Sequence, residues 1–188
     1  MRLFQPWDIS PLCAAVFRGL VHFLREWARM MNSSDHQPAD FTDIGGHRSR
    51  LEWIEAASGD VLAAAGDYPD GHRVVPHRHS RAQLLHALSG VVMVSTDEGR
   101  WMVPPDHAMW IPAGVEHAVE MLGAVRMRSA YVRPDAGSGL PAALRVLAMT
   151  ELMRSLIVEA VEIGSAEGAD ERAAAIMRLV LHEIPRLP

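Results

Sequence analysis

The sequence predicts a mainly β domain followed by two helices that form an αα-hairpin. Three observations carry that expectation. Between Leu51 and Val132 short apolar runs follow one another, broken by turn residues: "LEWIEA", "DVLAAAGDY", "AQLLHALSG", "VVMVST", "RWMVPP", "AMWIPAG", "EHAVEML" and "VRMRSAYV". Their close spacing is that of an antiparallel sandwich or barrel. No long helical period interrupts them. Beyond the Gly/Pro-rich "RPDAGSGLP", the apolar positions recur at three and four residues instead of two.

The elements are read in chain order. Residues 1–31 have the pattern of an amphipathic helix, with Cys13 as a small buried hydrophobe. Arg18 and His22 interrupt the apolar stretch Leu12–Leu24, so it is not a membrane span, which needs about 20 largely apolar residues. Met30 and Met31 offer a second start position. Residues 32–49 are dominated by polar and turn-forming types and are read as a linker. The β-barrel is expected over residues 50–135, with "TDEGR", Thr96 to Arg100, as a hairpin turn. Residues 136–188 form the helical segment. Leu152, Met153, Leu156, Ile157, Ala160 and Val161 make one stripe, with Thr150 as N-cap. Ile176, Met177, Val180, Leu181 and Ile184 make a second, with Asp170 as cap and Pro185 as stop. The hairpin covers an open face of the β-domain or pairs with a second copy of the chain.

Composition narrows the function classes. With 188 residues, one domain plus an appendage is the expectation. Apolar residues make up 49% and charged residues 22%, as in an ordinary folded domain. A net charge of -5 supplies no general basic field for phosphate backbones, so direct nucleic-acid binding is not expected. A single cysteine excludes an intrachain disulfide and points to a reducing cytoplasm.

The chemistry gathers in "GHRVVPHRHSRAQLLHALSG", Gly71 to Gly90. Side chains two apart on a strand share a face, so His77 and His79 project together. Gln83 keeps their parity if the chain bends at Ser80 and Arg81, and Leu85 and Ala87 continue the inner face as packing. Pro112 and Gly114 form a turn that delivers His117 opposite the pair. Three imidazoles and an amide oxygen suit a divalent cation such as zinc, iron, nickel or manganese. The alternative is a polar pocket for an organic ligand or water. Trp101 and Trp110 are candidate apolar walls. His86 has the opposite parity and belongs to the outer face; His72 and His107 fall in turns.

The spacing Gly71, five residues, His77-x-His79, three residues, Gln83, six residues, Gly90 resembles the first cupin motif, with Gln83 where the family usually has Glu. Pro112-x-Gly114, two residues, His117 resembles the second, with Asp106 in place of Gly and Met121 in place of Asn. This resemblance implies a double-stranded β-helix, or jelly roll, with its site in the barrel mouth. The neutral Gln83 leaves a cation's charge uncompensated, which lowers affinity.

A longer resemblance runs through three segments. "H-x-H-x-R-x-Q-L-L-x-x-x-x-G", "W-x-V-P-P-x-x-A-x-W-I-P-x-G-x-x-H" and "V-R-M-R-S-x-Y" occur here in that order. Together they resemble the amino-terminal sensor domain of one branch of AraC-type transcription regulators, in which Gln at position 83 is usual. The segment "LP...RVL...ELMRSLI" is similar to the family's linker. The resemblance implies an effector-sensing and dimerisation domain, with a small molecule or metal ion held by His77, His79, Gln83 and His117, and a homodimer through the C-terminal helices. It also implies two helix-turn-helix units beyond the linker, and the sequence reaches "EIPRLP" without them. Base reading is therefore expected of a missing or separate part. The alternatives are a small metal-dependent cupin enzyme of dioxygenase or isomerase type, with Glu116 or Glu120 turned inward as base, and a purely structural dimerisation module with a collapsed cavity.

Overall fold

The computed structural model describes residues 44–163 and 171–188, all within the compact unit Ala39–Pro188. The expectations for residues 1–31, Cys13, Met30, Met31 and the Asp170 cap lie outside the described residues.

Among the described residues, seven strands form one antiparallel sheet: β1 Val61–Tyr68, β2 Arg73–His77, β3 Ala82–Thr96, β4 Gly99–Val103, β5 His107–Ile111, β6 His117–Val132 and β7 Arg145–Ala148. Two long strands organise the rest. β3 and β6 pair with each other, β6 also takes β1 and β2 along successive stretches, and β3 likewise takes β5 and β4. A strand that serves two partners must bend. The β3–β6 register shifts around Ser89, and Gly90 sits at the bend with φ 74. An added Cβ there would come within 2.7 Å of Ala124 O and of the Val125 side chain, so glycine is required for both conformation and space. The Thr96–Gly99 pairing closes the expected hairpin with Asp97 and Glu98 as its two loop residues.

Strand parity divides the apolar residues between two cores. Leu85, Ala87, Val92, Val94, Met109, Ile111, Val119 and Met121 fill the barrel interior. Ala82, Leu84, Ala108, Trp110, Ala130 and Val132 face outward and are covered by helices α2 (Glu151–Ile163) and α3 (Glu171–Glu183). The alanines on this face let the helices approach closely. Met153, Ile157 and Val180 are fully buried against it, each contributing about 1.5–3 kcal/mol of apolar burial. Thr150 caps α2 as expected, its Oγ1 accepting from Met153 N at 3.1 Å. The result is a cupin jelly roll followed by an αα-hairpin.

Two expectations are corrected. "LEWIEA" is not a strand but the end of a helix, α1 (Ile44–Ala56), which begins inside the stretch read as linker. Six residues with alternating polarity cannot separate the two periods, and Gly45 and Gly46 argued against helix by propensity. Tertiary packing decides: Ile54 is buried with Leu62 and Tyr131. Trp110 does not face the barrel interior. Its parity puts it on the outer face under the helices, where its indole N–H donates to Pro141 O at 2.8 Å. Trp101 is partly buried against the interior core.

Candidate functional site

Three imidazoles converge at one end of the barrel. His77 closes β2 and His117 opens β6, and the two are direct cross-strand partners. Their ring centroids are therefore only 4.2 Å apart. His79 lies just past β2, where the chain bends through Ser80 and Arg81, and its ring stands 6.0 Å from His77 and 5.3 Å from His117. One ring nitrogen from each falls within 4.8 Å of the others. The turn at Pro112 and Gly114 positions His117, with Gly114 at φ 79 and its N–H donating to His79 O at 2.9 Å.

Each ring is held the same way. His77 Nδ1 meets Val75 O at 2.9 Å, His117 Nδ1 meets Val115 O at 2.9 Å, and His79 Nδ1 meets Arg81 O at 2.5 Å. A carbonyl can only accept, so each Nδ1 carries the proton and, in the neutral ring, each Nε2 carries the lone pair. This is the arrangement by which proteins orient imidazole ligands toward a cation.

Gln83 is the fourth member. It enters from β3 between Ile111 and Tyr131, with Oε1 3.2 Å from His79 Nε2. Its amide N–H groups donate to Ser129 Oγ at 3.0 Å and Tyr131 Oη at 3.3 Å. Two donors bound to one cation at about 2.1 Å each stand about 3.0–3.4 Å apart, so the His79–Gln83 separation fits a shared cation. None of the four side chains is a carboxylate. Tyr131, edge-on to His79 at 5.3 Å, has its phenol pushed up to about 12, chiefly by burial, so it stays protonated beside the pocket.

Neither carboxylate weighed as a base turns inward. Glu116 is exposed, and Glu120 pairs with Arg73 at 2.8 Å and Arg100 at 3.5 Å. His72 closes the turn that leads into β2, as expected, but His107 is not in a turn: it opens β5 opposite Ala148 and has its ring on Asp106 Oδ1 at 2.9 Å. His86 does face outward, yet it is fully buried beneath α2, with Nδ1 on His107 O at 2.9 Å and Nε2 3.2 Å from Arg154 Nη1. The sequence reading missed Ser129 and Tyr131 as partners of Gln83. Their signal was present: in "V-R-M-R-S-x-Y" they stand two apart and share a strand face.

Residues 58–183 match the family described as the AraC-like ligand binding domain. The chain belongs to that family. Its members are ligand-binding domains, which sets the chain apart from the cupin enzymes. The HTH-type transcriptional regulator NimR of Escherichia coli is 29% identical over 112 residues, covering 60% of this chain and 41% of NimR. Dimethylsulfoniopropionate lyase DddW of Ruegeria pomeroyi is 29% identical over 84 residues, 45% of this chain and 55% of DddW. The chain thus spans about half the length of these curated relatives or less. Among solved structures, apo ToxT of Vibrio cholerae aligns with TM-score 0.51 at 7% identity, over 66% of this chain and 54% of that one, a likeness of fold alone.

Proposed function

We propose that this AraC-like domain is the effector-sensing part of a transcription regulator, with the cluster of His77, His79, Gln83 and His117 as its binding site. The observation that carries the proposal is the convergence of three imidazoles: one ring nitrogen from each lies within 4.8 Å of the others, and each ring is oriented by its Nδ1–H on a backbone carbonyl. The four residues fit a divalent cation, zinc, nickel, iron or manganese, held through imidazole nitrogens and Gln83 Oε1. When bound, the cation supplies a Lewis-acid anchor for an oxygen or nitrogen of a small effector. The chain's own groups bind and orient that effector, with Ser129 and Tyr131 fixing the Gln83 amide and the interior core excluding water.

Regulation requires that effector binding favour one arrangement of the C-terminal helices over another. Leu152 on α2 and Leu179 on α3 remain 48% and 39% exposed, which supports a homodimer through this hairpin. NimR is named as a helix-turn-helix regulator, and by that likeness DNA is reached through a helix-turn-helix part, not through this domain. The proposal carries a cytoplasmic location; no helix among the described residues is long and apolar enough to cross a membrane.

The enzyme alternative draws on the likeness to DddW, named a lyase. Neither carboxylate weighed as its base faces the cluster: Glu116 is exposed and Glu120 is paired with Arg73. Metal analysis of purified protein, with thermal shifts across divalent cations and effector candidates, tests the proposal. His77→Ala with His79→Ala should abolish any stabilisation by added metal. Unchanged stabilisation in that double variant removes the assigned site.

A further inference from the structure

We propose that Arg81 is the positioning residue of the pocket, and that through it α1, which precedes the family-matched residues 58–183, is part of the binding site. Arg81 sits between His79 and Gln83 in the bend that delivers both to the cluster. Its side chain runs the other way and is buried, at 4% exposure. The guanidinium lies among three backbone carbonyls: Nε donates to Ile54 O at 3.0 Å, Nη1 to Gly59 O at 2.6 Å and Nη2 to Ala57 O at 2.5 Å. These belong to the last turn of α1 and the residues just past it. Helix C-termini present carbonyls without intrahelical partners and the negative end of the helix dipole, so a rigid, planar fork satisfies them as a flexible ammonium cannot.

A second tie runs back from the helix. Glu55 Oε1 accepts from Ser80 N at 2.7 Å, and this hydrogen bond holds the Glu55 carboxyl below its usual range. The bend is thus gripped from α1 at two adjacent residues. The grip reaches the pocket through Arg81's own carbonyl, which receives His79 Nδ1, and through His79 O, which receives Gly114 N ahead of His117. A shift of the Arg81 backbone therefore rotates the His79 ring and loosens the turn that presents His117. The inference rests on reading the cluster as a cation and effector site.

The test uses cobalt(II), whose visible absorption reports ligand geometry, on the whole chain and on Arg81→Lys, Glu55→Gln and Leu156→Ala. Leu156 packs in the outer core away from the cluster, so its variant is the control for stability loss alone. Arg81→Lys should weaken cobalt binding by about 10- to 100-fold, as loss of a ligand's outer support does, and shift the visible bands. Glu55→Gln should act more weakly in the same direction and serves if Arg81→Lys does not fold. Leu156→Ala should lower Tm without changing affinity or bands. Metal-free imidazole nitrogen NMR gives an independent arm, in which the His79 Nδ1–H resonance should move in Arg81→Lys. Should the parent protein take up no cobalt, the cation reading fails by itself, and the His79 resonance still decides the role of Arg81. Parent-like cobalt spectra and affinity in both variants, or an unmoved His79 resonance, would overturn the proposal.

Discussion

His79 and Gln83 confront each other across 3.2 Å with an imidazole nitrogen and a carbonyl oxygen. The opposite edge of the His79 ring donates to Arg81 O, and the Gln83 amide spends its N–H groups on Ser129 and Tyr131. In the neutral ring two lone pairs therefore point together, an arrangement that a shared cation relieves.

Charge at position 83 should set cation affinity. Gln83→Glu keeps the shape and adds one negative charge to a donor set that has no carboxylate, so divalent-cation affinity should rise by at least about tenfold, or 1.4 kcal/mol. Gln83→Leu should lower it and leave Ser129 and Tyr131 without their amide partner. Isothermal titration with zinc or nickel measures both, and a Glu variant no tighter than the parent would count against a cation at this position.

The same strand carries a different histidine on its other face. His86 donates through Nδ1 to His107 O, so its Nε2 accepts from Arg154, which also donates to Pro105 O at 2.9 Å. Burial, with Arg154 nearby, pushes the His86 ring below its ordinary value of 6.5. The unfolded chain then binds this proton more readily than the folded one, and the associated stability, complete above about pH 6.5, is lost as pH falls through the depressed folded value. Tm should drop more steeply between pH 7.5 and 5.5 in the parent than in His86→Asn. Parallel curves would assign no titration to His86.

Glycines with positive φ should differ in cost. Gly71 and Gly114 have φ 73 and 79 with nothing within 4 Å of an added Cβ, whereas Gly90 meets backbone and Val125 at 2.7 Å. Alanine at 71 or 114 should cost about 1–2 kcal/mol for the left-handed conformation alone. Gly90→Ala should cost more, since the barrel corner must also shift, and chemical denaturation ranks the three.

Removing the helical cover should be expensive as well. Ile157 is fully buried against the outer face of the sheet, and Ile157→Ala should destabilise by about 2–5 kcal/mol. Leu152→Ala, at an exposed position, should change Tm little and instead weaken self-association in sedimentation, if the proposed dimer forms there.

How much could be read beforehand follows from how local each signal is. Parity placed Gln83, Leu85 and Ala87 on one face and His86 on the other, because a strand's period of two needs no knowledge of its partners. The Thr150 cap and both helical stripes were legible for the same reason, except that Leu152, read into the first stripe, is exposed. What escaped was whatever depends on the third dimension. An outward-facing Trp110 looks like an inward one until α2 is known to cover it. The helix α1 hid behind two glycines and an ambiguous six-residue run, and His86 was assigned the correct face without its burial, since only the register of β3 against β5 brings it under Arg154.

The central claim is that the cluster of His77, His79 and His117 is where the ligand binds. Nickel(II) titration of the purified parent and of His117→Ala by calorimetry tests it most directly. The account predicts one site per chain in the parent and a loss of at least about 100-fold in the variant, with Tm of the metal-free proteins within a few degrees. Equal affinity in the two proteins, or no uptake by the parent, would contradict it.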